Sequence, residues 1–333
     1  MKQEHHPHSK TGLILGKFMP PHLGHQYLID FARGFVEYLT ILVWSTPSDQ
    51  ISGDLRYAWM LDMCADANVI HITDENPKEP QQDPEFFSRW HTTIRRVLPT
   101  GPDYFLAHEE YGDRFAQMLG ASYIPVDRHI PVSGSLIREN PMATWPYIPA
   151  CVRPYFVRRI CILGPESTGR STLAQRLAAH YGTVSVNEYA RLILETKGGH
   201  YHLDDISLIA RGQIASEDAL ARQANWLLFC DTDVLTTMIW SEILYDDCPD
   251  WIREAAGQRQ YDLYLLTDID DPWAEEHQRV RSSDRQLFFE RCLQELECRK
   301  KFYIKISGSW KQRFEQACQA VDQLLSAPHF SQP

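Results

Sequence analysis

Two stretches of the 333-residue chain carry residue types that hold phosphate groups: Gly16-Lys17-Phe18-Met19-Pro20-Pro21-His22-Leu23-Gly24-His25 and Gly164-Pro165-Glu166-Ser167-Thr168-Gly169-Arg170-Ser171-Thr172. In the first, His22 and His25 are three residues apart, so at a helix start both rings face one way. An imidazole N–H donates to a phosphate oxygen, and a protonated ring also offsets its charge. Gly24 lets an anion reach the backbone, Pro20 and Pro21 stiffen the approach, and Lys17 adds a phosphate contact in the loop that Gly16 and Phe18 complete. The second stretch fits G-x-x-x-x-G-K-[ST] except that Arg170 replaces the lysine. Gly164, Gly169 and the backbone of Ser167, Thr168 and Thr172 would cradle phosphate, and Ser171 would ligate Mg²⁺. The arginine fork is bulkier and differently aimed than an ammonium. The pattern therefore favours phosphate binding and leaves phosphoryl transfer open.

Two later segments belong with these loops. Between Asp127 and Arg138, Ser133 or Ser135 can cap a short helix whose free N–H groups face an anion, and Arg138, with Arg128 nearby, offers a fork for distal phosphates. The apolar run 226–230 ends in Asp231-Thr232-Asp233, and a strand-end carboxylate, Asp231 before Asp233, is placed to hold Mg²⁺ beside the second loop.

Each loop follows a strand-like run and opens a helix-like one, so each lies at a helix N-terminus, where N–H groups and the dipole attract anions. Strands are expected over 12–16, 39–44, 69–73, 104–107 and 122–125, with helical periodicity over 26–33, 55–66, 85–97 and 114–119. Pro141, Pro146, Pro149 and Pro154, interleaved with Trp145, Tyr147 and Tyr155, mark a packed linker. A second cycle has strands over 159–163, 184–186, 226–230, 263–267 and 302–306, and helices including 172–180, 206–224 and 312–325. This alternation implies an α/β chain of two doubly wound parallel-sheet domains: a disordered tail over 1–10, domains over 11–140 and 158–333, and a linker over 141–157. Ligands of such sheets lie at the carboxyl ends of the strands.

The 44% hydrophobic content suffices for a core in each half, and a net charge of -11 argues against a general nucleic-acid binder. No apolar run approaches the roughly 20 residues that span a bilayer, and no secretory segment follows the polar start. The eight cysteines include no C-x-x-C pair and read as free thiols of a reducing cytosol. His5, His6 and His8 read as part of the tail rather than as a metal site.

The run from Gly16 to His25, together with Ile130-Pro131-Val132-Ser133-Gly134-Ser135-Leu136-Ile137-Arg138, closely resembles the nucleotidyltransferases with His-x-Gly-His and Ile-Ser-x-Ser/Thr-x-x-Arg signatures. More narrowly, Ser52-Gly53-Asp54-Leu55-Arg56 and Glu109-Glu110-Tyr111-Gly112 resemble stretches of the nicotinamide mononucleotide (NMN) adenylyltransferases of the bifunctional NadR type, with His108 where that family has Ser. Asn187-Glu188-Tyr189-Ala190-Arg191, Gln213 and 231–237 resemble the family's ribosylnicotinamide kinase half, so the resemblance spans roughly 12–325.

The resemblance implies a Rossmann-like nucleotidyltransferase domain followed by a P-loop kinase domain, performing two ATP-dependent steps of NAD salvage. Nicotinamide riboside would be phosphorylated to NMN, whose phosphate would attack the α-phosphorus of ATP in line, giving NAD and pyrophosphate. The attacking phosphate is already anionic, so catalysis there is positioning and charge stabilisation by His22, His25, Arg138, the helix ends and Mg²⁺. Trp90 is either a stacking platform for the cationic nicotinamide ring or a core residue of an amphipathic helix. Glu188 would orient the acceptor hydroxyl, or would sit at a helix start favoured by the dipole. Tyr189 and Arg191 would contact the riboside, and Arg279 and Arg281, in a lid-like stretch that departs from the family's Asp-Gly-x-Arg wording, would neutralise the migrating phosphoryl group.

ATP and Mg²⁺ are thus the implied co-substrate and cofactor, and NMN and nicotinamide riboside the partners, without nucleic acid or membrane insertion, in a cytoplasmic monomer or homo-oligomer. Only about ten polar residues precede the first strand, so the helix-turn-helix domain of some relatives, and a repressor role, are not expected. Two alternatives remain: a second domain that binds nucleotide but is inactive or regulatory because of Arg170, and a sensor of NAD or ATP that passes its state to a partner.

Overall fold

Short apolar runs, covered on both faces, build two parallel sheets in succession. The computed structural model describes residues 10–81, 83–108, 111–198, 202–270 and 282–326. The first unit, Met1–Val152, runs β1 (Thr11–Gly16), α1 (Leu23–Phe35), β2 (Tyr38–Trp44), α2 (Gly53–Met63), β3 (Asn68–Ile72), α3 (Phe86–Val97), β4 (Tyr104–Ala107), α4 (Gly112–Leu119), β5 (Ser122–Pro125) and α5 (Gly134–Glu139). Its strands are all parallel, in the order β3-β2-β1-β4-β5. Successive residues of a strand face opposite sides. Accordingly Ile14, Ile41 and Leu106 join Leu28, Ile29 and Met60 in one core, whereas Leu13, Leu42 and Phe105 join Trp90, Ile94 and Phe115 in the other. Each such buried aliphatic or aromatic side chain contributes about 1.5–3 kcal/mol. The order reverses beside β1, and the crevice that binds ligands in such folds opens at its carboxyl end.

A 3₁₀ turn over Trp145–Tyr147 and the short α6 (Arg153–Phe156) follow, and Trp145, Ile148, Val152 and Phe156 are all buried. The second unit, Arg153–Pro333, continues with β6 (Arg158–Leu163), α7 (Arg170–Tyr181), β7 (Val184–Val186), α8 (Tyr189–Thr196), α9 (Leu203–Ala221), β8 (Leu227–Asp231), α10 (Val234–Tyr245), α11 (Asp250–Gln258), β9 (Leu263–Thr267), α12 (Ser282–Cys298), β10 (Tyr303–Ile306) and α13 (Trp310–Ser326). Its parallel order is β10-β9-β6-β8-β7. Each expected strand forms within one residue of its expected ends. The sequence reading did not name α8, α10, α11 or α12; α10 buries every residue from Val234 to Ile239, so its first half has no polar face to mark a helical period. All eight cysteines are free thiols, and no described helix is long and apolar enough to cross a membrane.

Candidate functional sites

The first site is a cavity of about 410 Å³ at the end of β1, and every residue assigned to the first phosphate site lines it: Gly16, Lys17, Phe18, His22, Gly24, His25, Arg128, Ser133, Ser135 and Arg138. His22 is the N-cap of α1 and forms a reciprocal box with His25. The Nδ1 of His22 accepts from the amide of His25 at 3.3 Å, and the Nδ1 of His25 accepts from the amide of His22 at 3.2 Å. An accepting Nδ1 carries no proton, so each neutral ring holds its proton on Nε2. The backbone thereby sets the tautomer that a phosphate oxygen needs.

Burial, then His108 and Arg128, pull the pKa of His22 down to about 4. Burial, then His22 and His108, hold His25 well below the ordinary histidine range. The expectation that these rings also offset charge is therefore corrected. At neutral pH they are uncharged donors stacked 3.7 Å apart, and the positive charge in the lining comes from Lys17, Arg128 and Arg138.

The loop between β1 and α1 is held by three clamps. Phe18 adopts a left-handed φ of 48° and sets its ring edge-on to His25, with centroids 4.9 Å apart. Ser133, rather than Ser135, caps α5 by accepting from Leu136 N–H at 3.2 Å. Arg138 donates to the Met19 carbonyl and, at 3.3 Å, to Ser135 Oγ, so part of its fork ties α5 to the loop. The third clamp is Asp49, which the sequence reading missed. It accepts from Lys17 Nζ and from the fully buried Arg56 Nη2, each at 2.7 Å. Burial works against its charge, yet the hydrogen bonds from Lys17 and the Thr46 amide, with the Lys17 and Arg56 charges, hold its pKa at about 2. No spacing marks Asp49, because its partners come from separate segments of chain.

His108 also lines the cavity and donates from Nδ1 to the Val126 carbonyl at 2.7 Å. The stacking role for Trp90 is corrected. Its side chain lies in the core, its indole N–H bonds the Pro77 carbonyl at 3.1 Å, and its ring meets Trp44 edge-on rather than the cavity. Among the described residues no carboxylate lines this cavity.

The second site lies where β6 turns into α7. Gly164, Ser167 and Gly169 take φ of 145°, 60° and 83°, which curls the loop around a cavity of about 240 Å³ lined by Ser167, Gly169, Arg170, Ser171, Thr172 and Trp310. The Thr168 hydroxyl is turned inward, to the Pro165 carbonyl and Thr267. A neighbouring cavity of about 430 Å³ is lined by Glu188, Tyr189 and Asp231, and shares Ser171 and Arg191 with the first.

Arg170 is 5% exposed and donates to the Gly164 carbonyl, to Glu188 Oε2 at 3.2 Å and to Asp231 Oδ1 at 3.4 Å. Arg191 donates to Ser171 Oγ at 3.0 Å and lies 3.5 Å from Glu188. Ser171 Oγ and Asp231 Oδ1, on the two residues expected to hold Mg²⁺, each accept from an arginine. Glu188 is the N-cap residue of α8 but makes no side-chain cap, and two arginines compete with any substrate hydroxyl for its oxygens. Gln213 accepts from the Tyr189 amide at 3.0 Å and donates to the Thr232 carbonyl at 3.5 Å, tying the segments that carry Glu188 and Asp231. Asp233 is structural, capping α10 at Thr236 and accepting from Tyr264. Arg279 and Arg281 lie outside the described residues, as do Glu109, Glu110 and the first nine residues.

Fold and loops together define an α/β protein of two doubly wound parallel-sheet units, the second opening on a P-loop. An AAA domain model matches residues 159–313. The "Trifunctional NAD biosynthesis/regulator protein NadR" of Salmonella typhimurium is 31% identical over 304 residues, covering 83% of this chain and 74% of the relative. Its Escherichia coli counterpart is 29% identical over 342 residues, covering 94% and 83%. The chain belongs to the NadR family. Solved structures of a NadR protein with NR, and with NAD and AMP-PNP, share the fold at TM-scores of 0.79 and 0.76, with 20% and 21% identity and 98% of both chains covered in each case.

Proposed function

We propose that the first unit transfers the adenylyl group of ATP to NMN, giving NAD and pyrophosphate, and that the second phosphorylates nicotinamide riboside with ATP to supply that NMN. The observation that carries the first reading is the convergence of two Nε2–H donors, the start of α1 and the Ser133-to-Arg138 segment on one cavity. The phosphate of NMN attacks the α-phosphorus as pyrophosphate leaves, and no general base is needed because the attacking oxygen is already anionic. Charge that grows on the phosphoryl oxygens is met by His22 and His25 as neutral donors and by Lys17, Arg128 and Arg138 as cations. Mg²⁺ comes with ATP as part of the substrate.

In the second unit the loop of 164–169 and the start of α7 take the distal phosphates of ATP, and Glu188 with Arg191 faces the riboside. The relatives named NadR and the neighbour solved with NR support this reading. The engagement of Arg170 by both carboxylates favours a second reading, in which this unit binds nucleotide without transferring phosphate. Incubation of the purified protein with Mg-ATP and nicotinamide riboside, beside a control given NMN, separates them when NAD is followed by chromatography. NAD from both substrates supports two activities, NAD from NMN alone removes the kinase, and NAD from neither removes the adenylyltransferase.

A further inference from the structure

One oxygen of each residue that a divalent cation would take beside the second phosphate loop faces a guanidinium: Asp231 Oδ1 at 3.4 Å from Arg170 and Ser171 Oγ at 3.0 Å from Arg191. Glu188 Oε2 lies within 3.5 Å of both arginines, so two acids and two bases form one linked set. Arg170 and Asp231 are 5% and 1% exposed, and pulling a buried pair apart leaves an uncompensated charge. A guanidinium has five N–H donors in a fixed fork. Arg170 donates from Nη1 to the Gly164 carbonyl, from Nε to Asp231 and from Nη2 to both oxygens of Glu188, and it also lines the cavity beside the loop. A lysine ammonium is a compact point charge on a flexible stem. Placed at this position, it cannot span all three acceptors, and Asp231 is then free for a cation.

Resting on the reading of this site as a nucleotide site, we propose that Arg170 and Arg191 take the place of the divalent cation there. The phosphate tail is held by guanidinium forks, and its binding does not depend on Mg²⁺. The consequence is a specific division between the two halves of the chain: nucleotide affinity at the second site is set by the buried Arg170 and the exposed Arg191 rather than by the metal that accompanies ATP.

The test is calorimetric binding of ADP to the full chain in excess Mg²⁺ and again in EDTA, with the part abolished by Gly169→Ala assigned to the second site. That part is expected to change by less than about threefold between the two buffers, and by more than about tenfold in Arg170→Lys, whose single ammonium leaves Asp231 to a metal. A loss of about tenfold or more on removing Mg²⁺ from the native protein overturns the proposal. The native comparison decides even if Arg170→Lys fails to fold, which circular dichroism reports. If Gly169→Ala removes no ADP binding in either buffer, the nucleotide reading of the second site falls first and takes this proposal with it.

Discussion

The indole of Trp310 lies against Gly169 so closely that a Cβ on the glycine would stand 1.8 Å from its Cη2, while the glycine itself sits at φ 83°. The buried Arg313 fixes this arrangement. It donates to the Thr168 carbonyl at 3.2 Å and to the Gly308 carbonyl at 2.8 Å, joining the phosphate loop to the start of α13. Loop and indole thus move as one piece.

Gly169→Ala therefore meets both backbone strain and a clash. We expect a loss of about 1–3 kcal/mol in unfolding free energy from the left-handed backbone. Phosphorylation of nicotinamide riboside should fall at least about 100-fold, because the loop cannot keep its geometry, while NAD formation from NMN is unchanged. Equal damage to both reactions would show that the variant is globally disturbed.

The two jobs of His25 can be separated. Asparagine places its carbonyl oxygen near the position of Nδ1 and keeps the bond to the His22 amide, but it lacks the distal donor. His25→Asn is expected to fold normally and to lose about 100- to 1,000-fold in adenylyl transfer. His25→Gln, which restores a donor near Nε2, should regain part of that rate. Equal rates for the two variants would remove the donor role.

Stability should fall with pH in a window set by the histidines. Unfolded, His22 titrates near 6.5, and folded near about 4, so between these values the unfolded chain binds more protons. The stability of the neutral ring is fully present above pH 6.5 and is lost as pH falls toward 4. For His22 alone this is on the order of 3 kcal/mol, and His25 adds to it. Urea midpoints measured across that range should decline, and His22→Asn should flatten the slope. A constant midpoint in the native protein contradicts the burial of a neutral ring.

Asp49→Asn leaves Arg56 as an unpaired charge in the core and frees Lys17. We expect about 3–5 kcal/mol of destabilisation in denaturant titrations and a higher KM for ATP, with the apparent KM rising further in salt. A change in KM without loss of stability would place Asp49 in the substrate site instead.

Trp90→Leu tests the corrected assignment. A core indole replaced by a smaller side chain should cost about 2–4 kcal/mol, with the KM for NMN within about twofold of native. A large rise in that KM in a stable variant would return Trp90 to the nicotinamide site.

The strands were legible because apolar runs end at glycine, proline or charged residues, and both phosphate loops were legible because glycines and prolines at fixed offsets leave few alternatives. What stayed hidden depended on pairing between distant segments. Arg170 was visible as a departure, but its attachment to Glu188 and Asp231 required β8 to be brought beside β6 and β7 beside β8. The charge state of His22 and His25 stayed open because burial does not show in spacing, and the place of Trp90 stayed open because a core aromatic and a stacking platform occupy the same face of an amphipathic helix.

Arg56 has no contact with solvent, yet it shares a carboxylate with Lys17, whose side chain reaches the first cavity. That shared acid makes the interior of the first unit and its chemistry a single inheritance. A substitution at Arg56 selected for packing alone would also reset the position of Lys17. Relatives that have lost Asp49 are expected to differ at both Lys17 and Arg56.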